Sequence, residues 1–210
     1  MMIEKFNICI DQEQIDQLHT KLNLTRWPDE INDEFWSHGT GMHFLKDLSA
    51  EWLNTFNWRD HEEKLNKIGS YKYKTKSGLK IHFLHSKSNK DGAIPLVMTH
   101  GWPGSIQEFI KIIPIIHSKS KIPIDIICPS MPGFGFSDKP TSPGMNSENI
   151  ARIQHELMCA LGYEKYVVQG GDWGATVSKW MAELYPENCI GIHLNLVIAF
   201  PPDGPDPMKG

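Results

Sequence analysis

The sequence predicts an α/β fold, a mostly parallel sheet with helices on both faces, preceded by a helical and aromatic-rich extension. Three observations predict it. From Tyr71 onward, short apolar runs of strand length alternate with amphipathic segments of helix length, the pattern of βαβ units. The runs are apolar enough to be buried on both faces, as parallel strands are. Residues 1–70 read differently, with helical spacing followed by a concentration of aromatic rings.

In the extension, Ile15, Leu18 and Leu22 of IDQLHTKLNL stand at helical spacing, and Pro28 of RWPDE ends that helix. Phe35, Trp36, Phe44, Trp52, Phe56 and Trp58 then mark a helix-and-loop segment expected to pack its rings onto a neighbouring domain. The core is assigned to residues 71–200. YKYKT and LKIHFLHS flank Lys76-Ser77-Gly78, a hairpin signal. IPLVMTH is a buried strand ending in a Gly-Pro turn, and Ser105 to His117 is a helix interrupted near Pro114. IDIICPS is the next strand, followed by the turn-rich MPGFGFSDKPTSPG. Asn146 or Ser147 caps a helix running to Gly162, with Ile150, Ile153, Leu157 and Leu161 on one face. KYVVQGG is a strand, Ala175 to Tyr185 a helix, and CIGIHLNLVIAF the last strand. Residues 201–210, PPDGPDPMKG, are compositionally biased.

Composition excludes several functions. A net charge of −4 without a basic block speaks against nucleic acid and anionic membranes as partners. The longest apolar run, Leu194 to Phe200, is short and broken by Asn195, so no transmembrane segment is expected. The N-terminus MMIEKFNICIDQEQ lacks a signal-peptide shape, so the expected location is cytoplasmic, soluble or peripheral. Cys9, Cys128, Cys159 and Cys189 form no CxxC pair; Cys128, Cys159 and Cys189 are read as buried reduced thiols. The histidines show no ligand spacing, and neither a metal nor a cofactor is expected.

The chemistry concentrates in Gly170-Gly171-Asp172-Trp173-Gly174. This is the G-x-nucleophile-x-G frame, and its required context is present: KYVVQG before it as strand, GATVSKWMAELY after it as helix. Gly170 and Gly174 permit a strained turn that lifts the central side chain above the sheet edge. The N-terminus of the following helix favours an ionised carboxylate there. An N-capping aspartate would read the same way in isolation. THGWPGS, at the end of an earlier strand, stands where an α/β-hydrolase core carries its oxyanion loop. The backbone N–H groups of Trp102 and Trp173 can converge on one oxygen, His100, Gly101 and Pro103 shape the turn, and a cis Trp102–Pro103 peptide is expected.

A carboxylate in place of serine has a chemical reason. Serine attacking a saturated carbon would form an ether, which water does not readily cleave. A carboxylate forms an ester, which is hydrolysed at its carbonyl. The substrate is therefore expected to be an alkylating agent such as an epoxide or alkyl halide.

HGWPGS, CPSMPGFGFSDKP and QGGDWG together resemble the microsomal-type epoxide hydrolases, which include the insect juvenile-hormone enzymes. RWPDE, FNWRDHEEKLN and IHFLHSKS carry the resemblance through the extension, so that it covers nearly the whole chain. It implies an α/β-hydrolase core, Asp172 as nucleophile, a small-molecule epoxide as substrate and a vicinal diol as product. In that family a histidine that activates water, an acid that orients it, and lid tyrosines follow the elbow. Here His193 is the only histidine after Asp172, and the last tyrosine is Tyr185. The expectation is an N-terminal part truncated before the lid and last strands, with residues 201–210 as the start of the lid and no turnover by itself. Its last strand is expected as an exposed edge, open to self-association or to a C-terminal half. Two alternatives stand beside this: a haloalkane dehalogenase-like hydrolase, which shares the aspartate and neighbouring tryptophan, and a non-catalytic subunit that assembles through that edge.

Overall fold

Ile3–Lys5 (β1), placed by the sequence reading in the helical extension, is a strand. Three residues are too few to display a period, and only their partner decides the conformation. β1 pairs antiparallel with β2 (Ser70–Lys74), Ile3 opposite Tyr73. The structure, a computed structural model, describes residues 3–31 and 36–198. The chain divides into two compact units, one of residues 8–64 and one formed by the segments on either side of it.

In the first unit, α1 (Gln12–Asn23) is followed by α2 (Met42–Asn54) and by α3 (Trp58–Ile68), whose last turn passes into the second unit. Phe35 of the aromatic segment lies outside the described residues. The Trp36 and Phe44 rings meet at 5.2 Å and Phe56 stacks on His61 at 4.6 Å. A charged knot centres on Glu62. Its Oε1 accepts from the Ile10 N–H at 2.5 Å and the Trp58 Nε1–H at 2.9 Å, and its Oε2 from Arg59 at 2.7 Å. Arg59 also donates to the Ile10 carbonyl at 2.7 Å. Burial pushes the Glu62 carboxyl upward, but these bonds together hold it below the usual carboxylate range.

The second unit is built on the hairpin the sequence predicts, β2 with β3 (Lys80–Ser86), antiparallel from Ser70–Leu84 to Lys74–Lys80. The remaining strands are β4 (Ile94–Thr99), β5 (Ile124–Pro129), β6 (Tyr166–Gly170) and β7 (Cys189–Leu194). The sheet has seven strands in the order β1-β2-β3-β5-β4-β6-β7. The β5–β4, β4–β6 and β6–β7 pairs are parallel, whereas β3 meets β5 antiparallel. The parallel part carries every loop of the candidate site. β7 closes the sheet with Ile190 and Ile192 exposed. The tail 199–210, including the end of the predicted last strand and the Pro-rich segment, lies outside the described residues.

Between the strands, Ile106–Phe109 forms a 3-10 turn before α4 (Ile112–Lys119). The break expected at Pro114 falls earlier, because Pro114 sits in the first turn of α4, where a missing N–H costs no helical bond. α5 (Ser147–Ala160) starts at the predicted cap: the Asn146 side chain accepts from the Asn149 N–H at 3.0 Å. α6 (Trp173–Leu184) begins two residues before Ala175. Leu157 and Met158 of α5 and Val177 and Met181 of α6 join Phe83, Val97, Ile127 and Val168 of the strands in one buried core.

Most polar groups that enter this core have partners, although Ser178 Oγ and Gln154 Nε2 are buried without one. His82 of β3 is fully buried between Ser70 Oγ at 2.8 Å and Ser130 Oγ at 2.9 Å, and burial pushes its pKa down to about 3. Asp125 accepts from the Ser88 N–H at 2.9 Å and the Tyr163 hydroxyl at 2.7 Å. Cys159, read as buried, is exposed, because it lies in the last turn of α5. Cys128 is buried, Cys189 half-buried and Cys9 exposed, all as free thiols.

Candidate active site

The site is built where parallel strands end. β6 ends at Gly170, the chain turns through Gly171 and Asp172, and α6 departs at Trp173. Asp172 holds φ 52° and ψ −129°, a left-handed backbone that a side chain other than glycine rarely adopts. The flanking glycines are required by space. A Cβ at Gly174 would overlap the Thr99 and His100 carbonyls, and one at Gly170 the backbone of Gly174. The start of α6 is thereby pressed against the end of β4, which holds the strained turn.

The loop after β4 completes the arrangement. The Trp102–Pro103 peptide is cis, as expected from the sequence. The Trp102 N–H donates to Asp172 Oδ1 at 2.8 Å. A Cβ at Gly101 would lie 2.5 Å from the Asp172 side chain, so only glycine lets the carboxylate approach the loop this closely. Trp173, as first residue of α6, has no intrahelical acceptor for its N–H and directly follows Asp172. His100 is buried and bonds Gly101 O through Nδ1 at 2.9 Å and the Met131 N–H through Nε2 at 3.1 Å. Nδ1 therefore carries the proton, and burial lowers the pKa. His100 thus ties the loop after β4 to the loop after β5.

Asp172, Gly101, Trp102, Pro103 and Gly171 line an open cleft of about 410 Å³, together with Gly104, Glu108 and Asn195. Glu108 and Asn195 were not singled out from sequence. The available signals were the placement of Glu108 one turn past Gly104 and the interruption of the last apolar run by Asn195. A second hollow of about 360 Å³ shares Trp102 with the cleft and is mostly apolar, lined also by Met131, Phe134, Met145, Ile150, Trp173 and Val177. His193 lies on β7 opposite Gln169 and is not among the cleft-lining residues. Among the described residues no group of three or more His, Cys, Asp or Glu is disposed to hold a metal ion. None of the described helices is long and apolar enough to cross a membrane.

One oxygen of Asp172 is bonded to a backbone donor beside an open cleft, a geometry compatible with a carboxylate whose other oxygen attacks and whose bonded oxygen is stabilised as charge develops on it.

Comparison with known proteins bears on the family and the fold. The family model for the epoxide hydrolase N terminus matches residues 3–109, and that for the alpha/beta hydrolase fold matches residues 94–206. The chain is 39% identical over 206 residues to epoxide hydrolase 1 of Sus scrofa, covering 93% of this chain and 45% of that protein. The crystal structure of juvenile hormone epoxide hydrolase from the silkworm Bombyx mori superposes with a TM-score of 0.85 at 33% identity, covering 93% of this chain and 53% of that one. The epoxide hydrolase of Aspergillus niger gives a TM-score of 0.84 at 30% identity, covering 98% and 55%. The chain spans about half the length of the curated relatives it matches.

Proposed function

This chain belongs to the epoxide hydrolase family, and from that premise we propose that it carries the nucleophilic half of an epoxide hydrolase site. Asp172 attacks an epoxide carbon, the ring C–O bond breaks, the freed oxygen takes a proton, and an aspartyl ester remains. Water then adds to the ester carbonyl and releases a vicinal diol, while the N–H groups of Trp102 and Trp173 hold the negative oxygen of the intermediate. The observation that carries this reading is the left-handed Asp172, with one carboxylate oxygen already bonded to the Trp102 N–H at 2.8 Å beside an open cleft.

His193 is not among the cleft-lining residues, so for these 210 residues the first step is expected to outpace the second. Intact-mass spectrometry after incubation with styrene oxide checks this. The expected result is a single adduct of the epoxide's mass, absent in Asp172→Ala, with circular dichroism showing both proteins folded. A folded chain that takes up no epoxide, or an adduct that persists in Asp172→Ala, overturns Asp172 as nucleophile. Repeated diol release beyond one equivalent would overturn the expected order of rates.

A further inference from the structure

We propose that Glu108 and Asn195 form the seat of the water that cleaves the aspartyl ester, with Glu108 as its positioning residue. The proposal rests on the Asp172 reading above and extends it to the second step.

The chemistry sets what such a seat must contain. A water attacks through a lone pair, so both of its hydrogens must be held by acceptors while that lone pair faces the carbonyl carbon. Donors would turn it the wrong way. Besides the nucleophile, the cleft is lined by two side chains that carry acceptors, Glu108 and Asn195; the others are glycine, proline and tryptophan. The Trp102 N–H, a donor, is already engaged with Asp172 Oδ1.

Both acceptors occupy slots made by missing side chains. Glu108 Oε1 lies within the space a Cβ at Gly104 would take, and Asn195 Oδ1 within that of a Cβ at Gly171. Gly104 belongs to the loop that bonds Asp172, and Gly171 directly precedes Asp172 in the elbow. Glu108 is delivered by the 3-10 turn Ile106–Phe109, which is anchored by the buried Ile106 and Phe109 and by Ser105 accepting from the Gln107 N–H at 3.2 Å. Asn195 follows β7 directly, and its N–H donates to the Gly170 carbonyl at 3.3 Å. The two side chains thus reach the cleft from separate segments of the chain, each against a glycine that lines it.

Charge makes Glu108 matter more once the ester has formed. Asp172 is then neutral, and Glu108 is the acid that remains among the described cleft-lining residues. Its carboxylate can hold the water and take up part of the proton as the O–C bond forms. The proton ends on the departing diol oxygen, and the carboxylate is restored.

Two measurements on the 210-residue chain test this. The first is the lifetime of the styrene oxide adduct followed by intact mass, in the wild type and in Glu108→Gln. The ratio of the adduct's decay to its formation is expected to fall roughly tenfold or more in Glu108→Gln. The rise of decay with pH should flatten, and Glu108→Asp should recover part of both. A merely structural role for Glu108 would not split decay from formation, and an unchanged ratio and pH profile overturn the proposal. The second measurement does not depend on alkylation: a high-resolution crystal structure should show an ordered water bonded to Glu108 and Asn195 and facing Asp172 Cγ. A cleft ordered in its side chains without that water also overturns it. If no adduct forms, the Asp172 reading fails and takes this role of the seat with it; if the adduct forms and the water is missing, only the seat fails.

Discussion

Residues 8–64 and the sheet unit both take ionisable side chains out of water, and they do so in opposite ways. In the first, Glu62 stays charged, because Arg59, the Ile10 N–H and the Trp58 indole meet its oxygens. In the second, His82 stays neutral between two serine hydroxyls, and His100 stays neutral between a carbonyl and a backbone N–H. A short helical unit has little apolar surface to bury and relies on a directed charged knot. A broad sheet covered by α5 and α6 can afford uncharged polar groups and close packing instead. The lesson is that the two units should fail under different stresses.

Close packing is the stress to which the sheet unit should be most sensitive. Gly174→Ala places a carbon onto the Thr99 and His100 carbonyls, and backbone atoms cannot move aside as a flexible side chain would. A loss of roughly 3 kcal/mol or more is expected from urea denaturation. An effect below about 1 kcal/mol would show that the elbow is looser than its geometry implies.

The charged knot should give the next largest effect. Glu62→Ala leaves the Arg59 guanidinium and two N–H donors without their carboxylate, at a cost of about 2 kcal/mol. Trp27, Trp36, Trp52 and Trp58 all lie in residues 8–64, so their fluorescence reports the transition.

Acid separates the units more gently. The folded pKa of Glu62 is lowered, so its contribution is present above the ordinary carboxylate value of 4.5 and is lost as pH falls through the folded value. The folded pKa of His82 is lowered from 6.5 to about 3, so the unfolded chain binds a proton in that interval that the folded chain refuses. The sheet unit should therefore weaken first, already below pH 6.5, by up to about 1.4 kcal/mol per pH unit for each such histidine. His85, lowered to about 4 by burial, adds to the same window. Denaturation midpoints of His82→Phe between pH 7.5 and 4 should show a slope smaller by that amount. An unchanged slope would mean that His82 is not the group refusing the proton.

Legibility followed locality. The elbow, the loop after β4 and the hairpin at Lys76-Ser77-Gly78 were readable because glycine and proline at fixed offsets announce the turns. The Asn146 cap was readable because capping is local chemistry. β1 was missed because a three-residue strand has no period of its own and is made by its neighbour. Glu108 and Asn195 were missed because what brings them to Asp172 is the absence of a side chain at Gly104 and Gly171.

The sequence by itself determined the α/β class, the strand–elbow–helix around Asp172 and the carboxylate at its apex, since propensity, turn residues and residue chemistry are properties of short segments. Only the tertiary structure decided the strand order, the neutral state of His82 and His100, and which polar groups share the cleft with Asp172. Those depend on burial and on contacts between residues far apart in the chain, and such contacts exist only once the strands have paired.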